Sequence, residues 1–217
     1  MKLNEDFIEA CKNGDLDRVR YLLTSKKFRI NADIHADNDA GFRWACTRGK
    51  LDVVKYLLTS PELKEHADIH KDSDLGFRFA CDYGHLDVVK YLLTSSDLKE
   101  HADIHAEDDW GFQLACANGQ LEVVKYLLTS SDLKEHADIH SDNDESFIRA
   151  CDNGHLEVVK FHVFEMDFQL SLETRIKINS LDNKDEIFNL IDKRDFERKL
   201  QSSLNATEEK PVKRTKI

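Results

Sequence analysis

Apolar and polar residues alternate along this chain with a helical spacing, in units that recur from one end of the chain toward the other. In a representative unit, the apolar positions lie three or four residues apart, which places them on one face of a helix: Leu51, Val54, Leu57 and Leu58. A shorter apolar segment precedes this one, between Asp39 and Gly49. Asp is a favoured N-cap, and Gly is favoured just past a helix end. The pattern predicts two short helices per unit, the first of which begins after Asp39.

The unit occurs five times with a constant period of 35 residues. A cysteine and a glycine mark each unit, at Cys11, Cys46, Cys81, Cys116 and Cys151 and at Gly14, Gly49, Gly84, Gly119 and Gly154. The phrase LDVVKYLLTS begins at Leu51 and Leu86, and recurs at Leu121 with Glu in place of Asp. Periods of roughly 20 to 50 residues indicate stacked repeats, in which neighbouring units supply each other's core. We therefore predict an all-α solenoid of five helix-turn-helix repeats.

A polar connection follows the second helix of each unit and contains the phrase ADIH, which ends at His35, His70, His105 and His140. The position just before ADI carries Asn31, His66, His101 and His136. Asn and His are enriched among non-glycine residues with positive φ, so we expect a left-handed turn at this position. We expect the Asp-rich residues after ADIH to be extended, exposed and little buried.

The ends of the array differ from its middle, as a finite stack requires. Arg18 takes the place of a valine in the first repeat, and His162 takes the place of a leucine in the fifth. Beyond the repeats, apolar residues lie along one side of a predicted capping helix at Ile187, Leu190, Ile191 and Phe196, with Leu200 one turn later. We assign the solenoid to residues 1–165, a C-terminal capping segment to 166–201 and a disordered basic tail to 202–217, with repeats at 4–38, 39–73, 74–108, 109–143 and 144–165.

The composition narrows the classes of function. The chain is 41% hydrophobic and 34% charged, with a net charge of -11, and the acidic balance disfavours a nucleic-acid-binding surface. No export signal and no apolar run of about 18 residues are visible, so we expect no membrane span. Five cysteines in such a chain are typical of reduced thiols. We expect a monomer in the cytoplasm or a host cytosol, with nuclear import through the basic tail as an alternative.

Two sets of side chains are candidates for chemistry. The five cysteines occupy one register position, where a small buried side chain suits close helix packing. His66 and His70, like the matching pairs in the next two repeats, have an i, i+4 spacing that suits zinc on a helix. The connection is not predicted to be helical, so we interpret the histidines as structural, and a metal site with Asp68, Asp72 or Asp74 is the alternative. No catalytic or phosphate-binding motif is present, so we expect no enzyme and no cofactor.

The repeats resemble the ankyrin-repeat family. ACTRGKLDVVKYLL and ACANGQLEVVKYLL are similar to its AAxxGHxEVVxLLL segment, HADIH is similar to its GADVN turn, and the resemblance covers about residues 1 to 165. It implies an ankyrin-type α-solenoid that binds another protein through a concave face formed by the first helices and through the short connections between repeats. The family's TPLH start is replaced by AGFR, LGFR, WGFQ and ESFI, and the connection is about three residues shorter than the family pattern. Such short connections resemble those of ankyrin proteins of large DNA viruses and intracellular bacteria.

Binding residues are expected where the repeats differ from one another, on and beside the first helices. Aromatic and arginine side chains are typical interface anchors. The candidates are Arg43, Trp44, Arg48, Arg78, Phe79, Tyr83, Trp110 and Asn118. An alternative interpretation of Trp44 and Phe79 is that they fill gaps between helix layers. The predicted function is a non-catalytic protein-binding module. The alternatives are an adaptor that recruits a second partner through its C-terminal segment, and a metal-binding protein that uses the histidines and aspartates.

Overall fold

The computed structural model describes residues 2–27, 31–166 and 168–208, and every regular element within these ranges is a helix. Five helix pairs follow one another along the chain. The first helices of the pairs are α1 Lys2–Asn13, α3 Ala36–Thr47, α5 Lys71–Asp82, α7 Ala106–Ala117 and α9 Ser141–Asp152. The second helices are α2 Leu16–Thr24, α4 Leu51–Thr59, α6 Leu86–Thr94, α8 Leu121–Thr129 and α10 Leu156–Lys160. The predicted all-α stack of five helix-turn-helix repeats is confirmed.

Each hairpin closes through its glycine. In the second repeat, Gly49 has φ +64, its N–H donates to the carbonyl of Cys46 at 3.1 Å, and the N–H of Lys50 donates to the carbonyl of Ala45 at 2.8 Å. A residue in the left-handed region just past a helix end satisfies the last carbonyls of that helix, and Gly accepts this backbone without steric cost. The predicted role of Gly49 as a helix-ending residue is confirmed.

The core is built from one phenylalanine per first helix, and in the first three repeats its ring packs against a glycine of the next repeat. The rings of Phe7, Phe42, Phe77, Phe112 and Phe147 are at most 1% exposed. A Cβ atom placed on Gly41 would lie 2.7 Å from the Phe7 ring, and one on Gly76 would lie 2.6 Å from the Phe42 ring. The missing side chains therefore let neighbouring first helices approach closely. First helices contact one another far more extensively than second helices do, which makes the first-helix side the concave side of the stack.

The cysteines are part of the same packing layer. All five are buried and free, and the Cys46 sulfur would lie 3.2 Å from a Cβ atom on Gly76. Burial raises the pKa of every one of these thiols, because the thiolate loses its hydration. A raised pKa leaves little of the nucleophilic thiolate. The interpretation of the cysteines as small core residues agrees with these positions.

The left-handed backbone lies at a different place from the one that the sequence pattern predicts. Positive φ occurs at three consecutive residues before each right-handed first helix from the second repeat onward, with values of 51, 59 and 56° at Asp37, Asn38 and Asp39. His66 and its register partners are not among the positive-φ residues, so that prediction was wrong. The expectation of an extended Asp-rich connection was also wrong, because these residues form a left-handed turn. Asp37 and Asn38 are exposed as expected, but Asp39 is only 1% exposed. Its carboxylate finds partners that only the stacked repeats supply.

Those partners form what we call the carboxylate ladder, which consists of Asp39, Asp74, Asp109 and Asp144. The Asp39 Oδ1 atom lies 3.0 Å from Nδ1 of His35 and accepts the N–H of Asp68, in the next repeat, at 3.2 Å. The next two rungs repeat these contacts, with His70 and Asp103 and with His105 and Asp138. The carboxylate therefore joins neighbouring repeats. It does not cap its own helix, which is the role that the sequence analysis assigned to it.

The ladder is completed at both ends by different residues. In the first repeat, Asn4 takes the register position, and its Oδ1 accepts the N–H of Asp33 at 3.0 Å. At the other end, the carboxylate of Asp144 accepts a hydrogen bond from the Thr174 hydroxyl in the capping segment. A neutral amide oxygen can therefore accept the same backbone N–H that a carboxylate accepts in the later repeats.

The C-terminal cap begins as an extension of the fifth repeat. After α10 a π-helical turn spans Phe161–Glu165, followed by α11 Leu172–Asn179 and α12 Lys184–Glu208. His162 in the π-helical turn is fully buried among four aromatic rings, those of Phe112, Phe147, Phe161 and Phe168. Its Nδ1 lies 2.9 Å from the carbonyl of Val158, and its Nε2 has no hydrogen-bond partner within the described ranges. Burial lowers the pKa of His162 to about 4, because the imidazolium loses its hydration.

Only the first half of α12 covers the stack. Ile187 and Ile191 are fully buried, whereas Phe196 is 67% exposed and Leu200 is 51% exposed. The prediction that Phe196 and Leu200 lie on the capping side was therefore wrong. A 25-residue helix is about 37 Å long, so its C-terminal half has no repeat beside it. The helix also includes residues 202–208, which the sequence analysis placed in the tail. Residues 209–217, with the rest of that tail, lie outside the described residues.

Replacing Gly76 with Ala is expected to destabilise the stack, although Ala favours helix. Ala gains roughly 0.5–1 kcal/mol over Gly in a helix interior. Overpacking against the Phe42 ring costs about 1–3 kcal/mol. We expect the free energy of unfolding, measured by urea denaturation, to fall by about 1 kcal/mol. In the same chain, Phe42→Leu removes ring atoms and should restore part of the loss, whereas a gain in stability from Gly76→Ala alone would contradict the packing argument.

The carboxylate ladder predicts different outcomes for two substitutions at Asp74. Asp74→Ala leaves the Asp103 N–H and the His70 ring without their acceptor and should cost about 1–3 kcal/mol of unfolding free energy. Asp74→Asn keeps an oxygen for the Asp103 N–H, as Asn4 does for Asp33, and should cost less than about 1 kcal/mol. Burial raises the pKa of Asp74, so its ionised form carries a desolvation cost that Asn lacks. Equal losses in the two variants, measured by thermal and urea unfolding, would count against the ladder.

His162 predicts a loss of stability at mildly acid pH. Because its pKa is lower in the folded protein than in the unfolded chain, the unfolded chain binds the extra proton as the pH falls from about 6.5 toward 4. Stability from this residue is therefore complete above about pH 6.5 and is lost in that window. Between pH 7 and pH 5, we expect about 2 kcal/mol of additional loss in the wild type compared with His162→Leu. The matched control is His85→Gln, because Gln120 occupies the same register position in the next repeat. This variant should lose as much stability between pH 7 and pH 5 as the wild type does.

Candidate functional site

The concave side of the stack carries a small aromatic cavity between α3 and α5. Trp44 and Phe79 occupy the same register position in neighbouring repeats, and Tyr83 lies one turn after Phe79. These three side chains, with Arg43 and Thr47, line a cavity of about 210 Å³. We call this cavity and its five lining residues the aromatic groove. It exists because the close packing of the first helices brings equivalent positions of successive repeats side by side.

Two of the three aromatic side chains of the groove are exposed to solvent. Tyr83 is 53% exposed, Trp44 is 39% exposed and Phe79 is half-buried. Adjacent large side chains that remain exposed mark interaction sites more often than isolated ones do. The exposure of Trp44 argues against the interpretation that it only fills a gap between helix layers. The half-burial of Phe79 fits a residue that forms the floor of the groove.

Two cations flank the Trp44 ring at the edge of the groove. The Lys12 Nζ atom lies 5.2 Å from the ring centroid, and the Arg48 guanidinium lies 5.9 Å from it. Lys12 also pairs with Glu9 at 3.5 Å. Arg48 is exposed, and within the described ranges its guanidinium has no hydrogen bond and no carboxylate partner. The tryptophan face thus holds the two charges in place without neutralising Arg48.

Arg43 and Arg78, both predicted as binding residues, brace the left-handed turns. Arg43 donates from Nε to the carbonyl of Asn38 at 3.0 Å and from Nη2 to that of Asp37 at 2.7 Å. Arg78 donates from Nη2 to the carbonyl of Asp72 at 2.6 Å. Gln113, at the same register position, donates to the carbonyl of Asp108 at 2.8 Å. This position satisfies backbone carbonyls that the left-handed turns leave without helical partners.

The remaining predicted residues lie outside the cavity. Trp110 is half-buried, with the Arg149 guanidinium 4.8 Å from its ring centroid. Asn118 donates from Nδ2 to the Asp82 carboxylate at 2.7 Å. The structure therefore gathers Trp44, Phe79 and Tyr83 with Arg43 at the groove and Arg48 at its edge, and it leaves Arg78, Trp110 and Asn118 apart from that cavity.

Sequence reasoning missed one groove residue, Thr47, and one residue at the edge of the groove, Lys12. Thr47 lines the cavity, and its hydroxyl donates to the carbonyl of Arg43 at 2.8 Å. Lys12, which flanks Trp44, shares the register position of Thr47 in the first repeat. That position carries a different residue class from repeat to repeat, as Asp82 and Ala117 show. The same comparison of register positions that found Trp44 would have found this one.

The paired histidines have separate structural partners. The His66 Nε2 atom lies 3.0 Å from the carbonyl of Ser60, within its own connection. The His70 ring lies between Asp74, 3.0 Å from Nδ1, and Glu100 of the next repeat, 3.6 Å from Nε2. In the part of the chain that the structure describes, no group of three or more His, Cys, Asp or Glu side chains is arranged to hold a metal ion. These contacts support the structural interpretation of the histidines.

Comparison with known families agrees with the repeat architecture. The family model described as "Ankyrin repeats (3 copies)" matches residues 7–108 and 77–168, which together cover more than half of the chain. The chain belongs to the ankyrin-repeat family. No curated protein matches it. Ankyrin repeats are in general protein-protein interaction modules, and in this ankyrin stack no helix among the described residues has both the length and the apolar character to cross a bilayer.

Proposed function

We propose that this ankyrin stack is a non-catalytic binding module that holds a partner protein on its concave first-helix side. The aromatic groove is the observation that supports this function. It presents exposed aromatic side chains, and at its edge lies Arg48, whose guanidinium has no hydrogen bond and no carboxylate partner among the described residues. Trp, Tyr and Arg are the residue types most enriched among interface hot spots. Trp44, Phe79, Tyr83 and Arg48 are the proposed anchors. Trp110 and Asn118 lie further along the stack and are proposed as outlying contacts.

The rigidity of the stack suits this role. Trp44 and Phe79 are presented by helices whose backbones are fixed by the contacts between Phe42 and Gly76 and by the carboxylate ladder. A preformed surface orders few additional groups on binding and therefore loses little of its affinity to entropy. Affinity in this arrangement depends on a few anchors, and the second helices act as scaffold.

A second role for the C-terminal segment is favoured by a separate observation. Leu172 and Ile176, four residues apart on α11, are 76% and 65% exposed, and Phe196 and Leu200 on α12 are exposed with the same spacing. Apolar residues four apart share one helix face. We propose as the alternative function an adaptor, in which the groove holds one protein and these faces recruit another.

The proposed setting is the cytoplasm, or the cytosol of a host, with the protein acting as a monomer. The support for a reducing compartment is that all five cysteines are buried and free. The support for a monomer is that both ends of the stack are closed, by the polar α2 with Arg18 and by the cap that buries Ile187 and Ile191. The basic residues proposed for nuclear import, Lys210, Lys213, Arg214 and Lys216, lie outside the described residues.

The groove predicts which substitutions remove partner binding. Trp44→Ala combined with Tyr83→Ala should lower the affinity for a captured partner at least tenfold, because hot-spot aromatics contribute about 2 kcal/mol or more each. Helicity and the urea midpoint should change little, since both side chains are exposed. The measurement is affinity capture from a native extract, followed by titration of the captured protein against both chains.

A matched control is Tyr21→Ala. Tyr21 is also an exposed tyrosine, but it lies on a second helix, so its removal should leave capture unchanged. Deleting residues 196–208 tests the adaptor alternative. Capture of one protein should persist while capture of another is lost. Undiminished capture by the Trp44 and Tyr83 variant would remove the groove from the proposed function.

A further inference from the structure

The aromatic groove has the size of a site for one side chain. Its volume of about 210 Å³ lies below the roughly 300–1,000 Å³ of pockets that hold cofactors or drug-sized ligands. Its apolar walls are the rings of Trp44, Phe79 and Tyr83, and the polar groups of its other lining residues, Arg43 and Thr47, already donate to backbone carbonyls. A side chain that leaves water for this cavity must be aliphatic or aromatic, because the walls provide few polar partners.

The charge at the edge of the groove differs from that of the chain as a whole. The chain has a net charge of -11, yet the Trp44 ring is flanked by Lys12 and Arg48. The carboxylates at the neighbouring register positions are already engaged. Glu9 lies 3.5 Å from Lys12 and accepts from Asn13 at 3.0 Å, and Asp82 accepts from Asn118. Arg48 is therefore the cation at this edge that has no carboxylate partner among the described residues.

The opposite edge of the concave side is acidic. The tips of the left-handed turns expose Asp37, Glu107, Asp108 and Asp142, and Asp72 at the same place pairs with Arg43 at 3.8 Å. These carboxylates stand at the start of the first helices, whereas Arg48 and Tyr83 stand at the end. An acidic ligand is therefore repelled from the turns and attracted toward the helix ends, which fixes where on the concave side it binds.

Arg48 is placed to bind a carboxylate. Because the Arg48 guanidinium is held near the Trp44 face, little side-chain entropy is lost when it binds an anion. Guanidinium and carboxylate groups form paired, parallel hydrogen bonds, which are stronger than bonds between neutral groups. An Asp or Glu next to an apolar residue would meet Arg48 while the apolar side chain fills the groove.

We infer that the partner segment bound by the aromatic groove is acidic, with an aliphatic or aromatic residue in the cavity and a neighbouring Asp or Glu on Arg48. This inference rests on the proposed function and adds the chemistry of the partner. It commits to a peptide segment of a protein with negative charge near one apolar anchor.

The test is a selection from a random peptide display library against the full chain. Wild-type binders should be enriched in Asp or Glu next to Leu, Phe or Trp. Arg48→Glu should lower the affinity for these peptides at least tenfold and should select Lys or Arg at the same place. Binding should also weaken as salt is raised toward about 1 M, where the screening length falls to about 3 Å.

The matched control is Arg20→Glu. Arg20 is also an exposed arginine held over an aromatic ring, 5.2 Å from Tyr56, but it lies on the second-helix side. The control should select the same peptides as the wild type. Suppose that the wild type selects neutral or basic peptides, and that Trp44→Ala combined with Tyr83→Ala removes their binding. This result would overturn the acidic partner and would leave the groove as the binding site. If the Trp44 and Tyr83 substitutions leave the affinity for the selected peptides unchanged, the proposed function itself would be overturned.

Discussion

The contact between a first-helix phenylalanine and the glycine of the following repeat is the constraint on which the rest of this structure depends. With the Phe42 ring occupying the place of a side chain on Gly76, neighbouring first helices pack more closely than second helices do. The stack therefore curves, and the register positions of Trp44 and Phe79 become neighbours across a narrow gap. A larger residue than Gly at this contact would separate the helices and open the aromatic groove. The binding surface is thus a consequence of core packing, although none of its residues belongs to the core.

The shortened connections impose an energetic cost that the same packing offsets. A left-handed turn of three non-glycine residues costs roughly 1–2 kcal/mol per residue, and it carries a buried carboxylate. The turn persists because Asp39 joins the His35 ring to the Asp68 N–H, and because Arg43 satisfies the carbonyls of Asp37 and Asn38. Each turn is therefore stable only when the next repeat is in place. This dependence couples the local backbone to the cooperativity of the whole stack.

The sequence predicts this fold well because its main evidence is periodic. A constant interval of 35 residues identifies the helix pairs, the closing glycine and the buried cysteine without any knowledge of distances.

The turn was misplaced because the statistical preference that favours positive φ at His66 applies equally to Asp37 and Asn38. Burial of Asp39 depends on an N–H 29 residues away, which no local pattern reveals. Phe196 was misassigned because helical spacing shows which residues share a face but not where the neighbouring surface ends. Comparison of the repeats located the candidate site, but it could not distinguish Arg43 from Arg48, since both are arginines. Their contacts in the structure distinguish them: Arg43 donates to a backbone carbonyl of the turn, whereas the Arg48 guanidinium lies over the Trp44 ring and is free to bind a partner.

Whether a position varies in residue type among the repeats depends on how its side chain contacts the next repeat. On the second helices, a cation of one repeat lies over an aromatic ring of the next, as Lys55 does over Tyr91 at 5.4 Å and Lys90 over Tyr126 at 5.2 Å, so each residue has a partner that limits change. On the first helices, the phenylalanine and glycine positions are held by their mutual contact. The Trp44 position lies outside the core: Trp44 is exposed, and Phe79, Leu114 and Arg149 in the following repeats are half-buried. A residue that the core contacts do not restrain can change without loss of the stack, so selection for binding can act on it independently of stability. Because the register position of Trp44 can change without loss of the fold, it is a physically reasonable place for partner recognition.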